Sequence, residues 1–553
     1  MTSASPVRRL ADTLVNRLLV ADPFSGTALG LREYDTLVPD PSAAAEAALD
    51  ADLAGIAAQA ETLDAQTPAE RVTLAAVRAT CRRRRLALEQ REVEFTVTAM
   101  PMAGPPALFA IAARTTLPGA HAADDYLVRL RAAAAWIDGT TERLREGEAR
   151  GRRPVRSLLD QALAWADRAL TTPVPAAFTA PQPPDGWAGT PSWVVERDRI
   201  VSDDITPALR RWRDLLVELQ PAARPDEQAG LGALPGGDED YLRAIEVHTT
   251  LPFTADELHA IGLAEIERLE ARAVNLGASL GLADLAAVVA AVRASSSEID
   301  AETALTAARA AVLRAESRAG EIMPAPLPAP CAVEPMPPTV AEAGMPPHYT
   351  RPMRDGSRPG TFWFNTQRAT AGTGWDLEAV AFHETVPGHH SQLARAQDLG
   401  ELPLLQQMSV TVHSEGWGLY AERLAGEFGL YSDVRAELGS VYIELHRAAR
   451  LVVDTGLHAF GWSRAKAVAF MVEHVALPEA FLADEIDRYI AWPGQALAYL
   501  SGLREILRLR ALAEGAVGAS FDLPSFNGAL LDSGSVPMPV LATVVDDWIA
   551  ARV

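Results

Sequence analysis

The sequence predicts a mainly α-helical protein, a large bundle-like body with one small β element. Three observations predict it. Long stretches rich in Ala, Leu and Arg carry apolar residues three and four apart, the period of a helix face. Hydrophobic residues make up 48% of the 553, enough for a large core, so disorder is not the default state. Strand-like composition is confined to one place, residues 348–366.

In chain order, the spacing predicts helices near 42–64, 68–92, 123–148, 155–170, 193–219, 254–278, 282–294, 299–319, 433–459, 464–475 and 495–514. Thr254-Ala-Asp-Glu257 is a capping box that opens one of them, and Ser463 is placed to cap the helix beginning at Arg464. Pro221 to Asp240 is rich in Pro, Gly and acids and divides an N-terminal helical lobe, 1–230, from a second, catalytic lobe, 231–553. Pro324 to Pro352 holds too many prolines for a long helix. His348–Pro352 and Thr361–Thr366 then flank the turn-rich run Asp355 to Gly360, which predicts a hairpin. Leu377 to Phe382 reads as a helix entering a buried site, and a further helix is expected after the linker Gly400-Glu401-Leu402-Pro403.

Charge and composition narrow the function classes. A formal net charge of −22 repels phosphate backbones, so no nucleic-acid partner is expected. Only Cys81 and Cys331 occur, too few for a disulfide framework or a cysteine metal site. Arg8, Arg9, Asp12 and Arg17 interrupt the N-terminal apolar residues and leave no signal-peptide core. The longest apolar run, Leu285 to Val292, is too short to span a membrane and reads as a core helix. A cytoplasmic protein with no membrane partner is expected. No P-loop occurs, and the single G-x-S-x-G, Gly277 to Gly281, lies between two helical stretches, not on a strand-to-helix elbow.

The chemistry concentrates in His383-Glu384-Thr385-Val386-Pro387-Gly388-His389-His390. Three of the eleven histidines fall here beside a carboxylate. Imidazole is the commonest zinc ligand, and a carboxylate next to a metal site is the usual general base of a metallohydrolase. In H-E-x-x-H the histidines are four apart and share a helix face. Here the fourth position is Pro387, which cannot ligate and has no N–H for the carbonyl of His383. In an unbroken helix His389 would sit about 240° round from His383, and His390 about 20° away but roughly 10 Å along the axis. A distortion at Pro387-Gly388 would bring His389 back. His383 and His389 are the expected ligands, with His390 the alternative second one. A third ligand is expected, leaving one position for water. Glu415, in His413-Ser-Glu-Gly-Trp-Gly-Leu-Tyr-Ala-Glu422, is the candidate. Glu422 lies seven further on, along the same face, and is free to pair with Arg423 or another arginine instead.

Hydrolysis also needs donors for a developing oxyanion. Arg450, Asp454 and His458 fall on one helical stripe, where Asp454 is placed to orient His458. Tyr489 and Tyr499 flank Pro493-Gly494, and either phenol is a candidate donor. Asn365, in the predicted hairpin, and Arg450 are candidate substrate contacts; Arg488 and Arg504 are weaker candidates for a substrate carboxylate.

The runs His383 to His390, Glu415 to Glu422, Arg450 to His458 and Tyr489 to Tyr499, in this order, resemble the DUF885 family, grouped with the zincin-like metallopeptidases. The resemblance is clearest from Leu234 to Ala511. It implies a helical fold with a central channel or cleft, similar in plan to helical zinc carboxypeptidases and oligopeptidases. It implies one zinc per chain on His383, a motif histidine and Glu415, with Glu384 as base, and it strengthens His458 as a catalytic candidate. The expected function is hydrolysis of short peptides or small amides by metal-activated water. A hydrolase of a non-peptide amide or ester, and a non-catalytic binding protein on the same fold, are the alternatives.

Overall fold

The structure is a computed structural model that describes residues 5–295, 300–337, 341, 346–353, 358–366, 374–400 and 402–553. Helix makes up 72% of it, and its described strands form a single three-stranded sheet. The mainly α fold with a small sheet is therefore as expected. Helices Ala43–Thr62, Pro68–Gln90, Ala120–Ala149, Arg156–Ala169, Ala255–Ala278, Leu285–Ala294, Ala301–Ile322, Val434–His458, Arg464–His474 and Ala498–Val517 lie where apolar spacing places them. The Thr254/Glu257 capping box forms in both directions, and Ser463 accepts from Lys466 N. Ser279 ends the helix before it and bonds the Leu276 carbonyl, so the G-x-S-x-G run is a helix-end connection.

The stretch 193–219 differs. It is two helices, Thr190–Ile200 and Thr206–Leu219, joined by a π turn over Val201–Ile205. Pro207 has no N–H to continue the ladder, and the widened turn absorbs the missing bond. Helices Pro6–Ala21, Gly237–Thr249 and Glu479–Ala491 were not foreseen. In Pro6–Ala21 Arg8, Arg9, Asp12 and Arg17 form the outer face, while Val7, Leu10, Leu14 and Leu18 point inward.

Apolar packing groups the chain into two cores. One contains Val97 to Leu219. The other runs from Val7 to Trp548 and joins residues on both sides of position 230. The segment expected to be a loose linker is also packed: a Cβ on Gly230 would lie 1.7 Å from the Leu457 carbonyl oxygen. That contact is with Val434–His458, the central helix of the fold, whose residues are almost all buried. Asp433 caps it. Ala255–Ala278 lies along it at a distance only Gly262 permits, since a Cβ there would reach 2.7 Å from Val452.

The sheet consists of β1 (Ala332–Pro335), β2 (His348–Thr350) and β3 (Thr361–Phe364), in the order β1-β3-β2. The expected hairpin is β2 antiparallel to β3, with Tyr349 opposite Phe362. Its expected turn at Asp355 to Ser357 lies outside the described residues, as does Glu401 of the expected Gly400–Pro403 linker. The unexpected strand is β1, which pairs parallel to β3 out of the Pro-rich segment. Phe362 and Phe364 enter the core, and the half-buried Trp363 donates from Nε1 to Thr350. Among the described residues, no helix is long and apolar enough to cross a membrane.

Candidate metal centre

The helix Leu377–Glu384 buries Leu377, Ala379, Ala381 and Phe382 and carries His383 and Glu384 on its last turn. It stops there. Thr385 leaves helical geometry (φ −115°, ψ −114°) and turns its hydroxyl back to the Ala381 carbonyl at 2.6 Å. The Val386–Pro387 peptide is cis. The expected distortion is thus a complete break, and His389 opens a second helix, His389–Asp398. Gly388 makes the break possible: a Cβ there would lie 1.9 Å from the His383 carbonyl oxygen, so no larger residue fits. Trp417 pins the turn from the opposite helix, donating its indole N–H to the Pro387 carbonyl at 2.8 Å.

That opposite helix, Thr411–Glu427, brings Glu415 in. Gly416 lets it lie directly on Ala498–Val517, and Gly418 faces the His383 ring, which a Cβ would approach to 2.5 Å. His383 Nε2 and Glu415 Oε2 are 3.4 Å apart, and His389 Nε2 is 3.8 Å from the same oxygen. The two imidazoles meet edge to face at 4.6 Å. One donor atom from each of His383, His389 and Glu415 lies within 4.8 Å of the others. Donors about 2.0–2.2 Å from a tetrahedral zinc stand roughly 3.3–3.6 Å from one another. The His383–Glu415 separation already has that spacing and the His389–Glu415 separation is close to it. Of the two motif histidines left open by the sequence, His389 joins the trio. His390 faces away, with Nδ1 on the Tyr349 hydroxyl and Nε2 on the Ala329 carbonyl.

Glu422 does not pair with Arg423, which goes to Glu444. It accepts from His383 Nδ1 at 2.8 Å and so leaves Nε2 as the free donor toward the trio. Burial works against a charged His383, but the hydrogen bonds of Glu415 and Glu422 outweigh it and raise its pKa. The same field that favours a proton on His383 favours a dication. His389 has the opposite shift, lowered to about 4 by burial and by His383, and is the neutral imidazole a metal requires. Its buried Nδ1 has no partner. Glu384 accepts from Tyr349 N at 2.8 Å, on the edge of β2 away from β3. Burial, reinforced by Glu415, pushes its carboxyl up to about 7, the range of a general base working near neutrality.

The polar stripe of the central helix is arranged differently from expectation. Asp454 does not hold His458; it accepts from the Tyr241 hydroxyl at 2.6 Å and from Gly494 N. His458 accepts from Leu231 N at Nδ1 and donates from Nε2 to the Tyr489 carbonyl, so both its nitrogens are spent on main chain. The Tyr489 hydroxyl donates to Glu485 and accepts from Arg450. Tyr499 is half-buried against the guanidinium groups of Arg447 and Arg450, and the Glu415 charge adds to burial in raising its pKa. Asn365 donates to the Ala341 carbonyl, Arg488 pairs with Glu485, and Arg504 pairs with Glu265 at the surface. None of these three makes a described contact with the trio.

Sequence reasoning missed Arg447, Trp417 and Tyr349. Arg447 lies one helical turn before Arg450 and was legible as a continuation of that stripe. The roles of Trp417 and Tyr349 depend on the helix break and had no local signal.

A mainly helical protein with two histidines and a glutamate converging beside a raised carboxyl is the class these observations define. The chain belongs to the DUF885 family, described as bacterial proteins of unknown function, which it matches over residues 23–545. Among curated proteins none matches. A candidate lipoprotein from Colwellia psychrerythraea is 25% identical, with a TM-score of 0.89 over 99% of both chains. A candidate lipoprotein of unknown function from Shewanella oneidensis, 16% identical, superposes with a TM-score of 0.77 over 98% of this chain and all of its own. Lipoproteins are held at a membrane by their lipid. The likeness to them overturns the expectation of a cytoplasmic protein.

Proposed function

We propose that this chain is a metal-dependent peptidase acting on short peptides, with zinc held by His383, His389 and Glu415. The observation that carries the reading is the convergence of those three donors within 4.8 Å, with Glu384 next in sequence to one of them. The donor set, two imidazoles and one carboxylate, is the one catalytic zinc takes in His2Glu hydrolases. Zinc bound there would polarise the substrate carbonyl and make a water molecule nucleophilic at neutral pH.

The protein residues divide the remaining work. Glu384 takes the proton of the attacking water as its oxygen bonds to the carbonyl carbon. Glu384 then gives that proton to the amide nitrogen as the C–N bond breaks, leaving a carboxylate and an amine. Tyr499, whose phenol feels the Glu415 charge, would donate to the developing oxyanion. The outer edge of β2 lies beside the base, and its Tyr349 N–H holds the Glu384 carboxylate in place. Glu422 fixes the His383 tautomer throughout.

The test is metal content and peptide hydrolysis of the wild type beside Glu384→Gln. The variant keeps its zinc and loses hydrolysis by a factor on the order of 100 to 10,000. Hydrolysis of non-peptide amides and esters, with every peptide untouched, would favour the alternative hydrolase. Zinc binding with no hydrolysis of either class would leave a binding protein.

A further inference from the structure

One arginine beside the candidate metal centre has no acid. The chain has net charge −22, and several of its buried arginines are matched with acids: Arg143 with Glu46 and Glu94, Arg152 with Asp240, Arg395 with Asp532, Arg450 with Glu485. Buried Arg224 is satisfied instead by three main-chain carbonyls. Arg447, on the central helix, has no carboxylate within ion-pair distance among the described residues. Its Nε is buried without a partner, and its Nη1 reaches only the His446 ring at 3.4 Å. A half-buried guanidinium left unpaired is unfavourable unless something else supplies the anion.

Its surroundings are arranged for one. Arg447 and Arg450, one turn apart, both lie on the Tyr499 ring, with guanidinium carbons 5.6 Å and 4.5 Å from its centre. Arg450 is held rigidly from one side, Nε on the Tyr489 hydroxyl and Nη2 on Glu485, while its buried Nη1 is unpartnered. The cluster is on the helix that packs against both elements carrying the metal donors, Leu377–Glu384 and Thr411–Glu427, and the Arg447 charge also pulls on Glu415, Glu384 and Glu422. Two guanidinium groups and a phenol thus form a cationic wall beside the reacting position. Guanidinium forks match carboxylates in geometry as well as charge.

A peptide's backbone has one terminal carboxylate, on the side of the leaving amine. We infer that Arg447, backed by Arg450 and Tyr499, receives that carboxylate, so that the chain removes residues from the C-terminal end of short peptides. This rests on the peptidase reading and adds the substrate class: peptides with a free C-terminus.

The zinc-loaded full chain is assayed with N-acetyl-trialanine and with its C-terminal amide. The wild type favours the free acid by about 10- to 100-fold in kcat/KM, the range of a charge-assisted hydrogen bond. Arg447→Ala lowers kcat/KM for the acid about 10- to 100-fold more than for the amide, so that the ratio of the two falls to near one, with zinc content unchanged. Arg447→Lys restores part of the preference. A loss equal for acid and amide would place Arg447 at the reacting carbonyl and overturn the inference; so would a wild type indifferent to amidation. Calorimetry on zinc-loaded Glu384→Gln, which binds without turnover, separates this from the peptidase reading. Tighter binding of the acid than of the amide, lost in the double variant with Arg447→Ala, supports the carboxylate site even if the wild type cleaves neither peptide. Equal binding of the two overturns it.

Discussion

Two pairs of buried histidines serve opposite ends in this molecule. His446 and His458 lie on the central helix; burial, with Arg450 beside His446, holds both pKa values down near 3. His458 spends its nitrogens on the backbone and fastens the 230 segment and the Tyr489 carbonyl to that helix. His383 is just as enclosed, but Glu415 and Glu422 face it and its pKa rises instead. His389 is neutral, with one nitrogen toward Glu415. Burial is common to both pairs. What separates a structural imidazole from a candidate ligand here is where the acids lie and whether a ring nitrogen is left over.

The comparison breaks first at Glu415. Glu415→Ala removes one of three donors and leaves His383 and His389 without their common partner, so the chain retains little zinc after dialysis. His390→Ala and His458→Ala, each losing an imidazole outside the trio, keep one zinc per chain. Metal analysis of the three variants decides it, and loss of zinc from His390→Ala would return that residue to the ligand set. A smaller effect sharpens the same contrast at Glu422. Glu422→Gln keeps the shape but gives up the charge that orients His383, and zinc affinity falls about 10- to 100-fold. Competition with a chromophoric chelator measures it; an unchanged affinity would reduce Glu422 to a packing residue.

Most of the fold was legible because helices of this kind announce themselves. The apolar faces of Pro68–Gln90, Ala255–Ala278 and Val434–His458 repeat at the helical period over many turns. Where a non-local contact decides, the sequence was silent. β1 exists because β3 pairs with it, and its Pro-rich stretch gives no strand pattern of its own. The site divides along the same line. His383, Glu384 and Glu415 could be named from residue type and spacing. The choice of His389 over His390 required the break that Gly388 permits and Trp417 pins. Periodicity placed Asp454 and His458 on one stripe and so suggested a pair. Each instead found a partner from another element, Tyr241 and Leu231, which no pattern within the helix could reveal.

The smallest effect tests the structural pair through pH. A histidine depressed to about 3 in the fold and about 6.5 in the unfolded chain contributes fully above pH 6.5. As pH falls below that, the unfolded chain takes a proton the fold refuses, and stability declines by about 1.4 kcal/mol per pH unit for each such group until pH nears 3. Asp454 acts in the other sense. Burial raises its carboxyl to about 7, so its destabilising charge is present above pH 7 and is relieved as pH falls toward the unfolded value. Between pH 6 and 4.5 it cancels one of the two histidines. Urea unfolding across that window should therefore show His458→Gln less acid-sensitive than the wild type by about 1.4 kcal/mol per pH unit, and Asp454→Asn more sensitive by a similar amount. If His458→Gln kept the wild-type slope, His458 would be accepting its proton in the folded state. It could not then take the Leu231 N–H at Nδ1, and its place among the structural imidazoles would be lost.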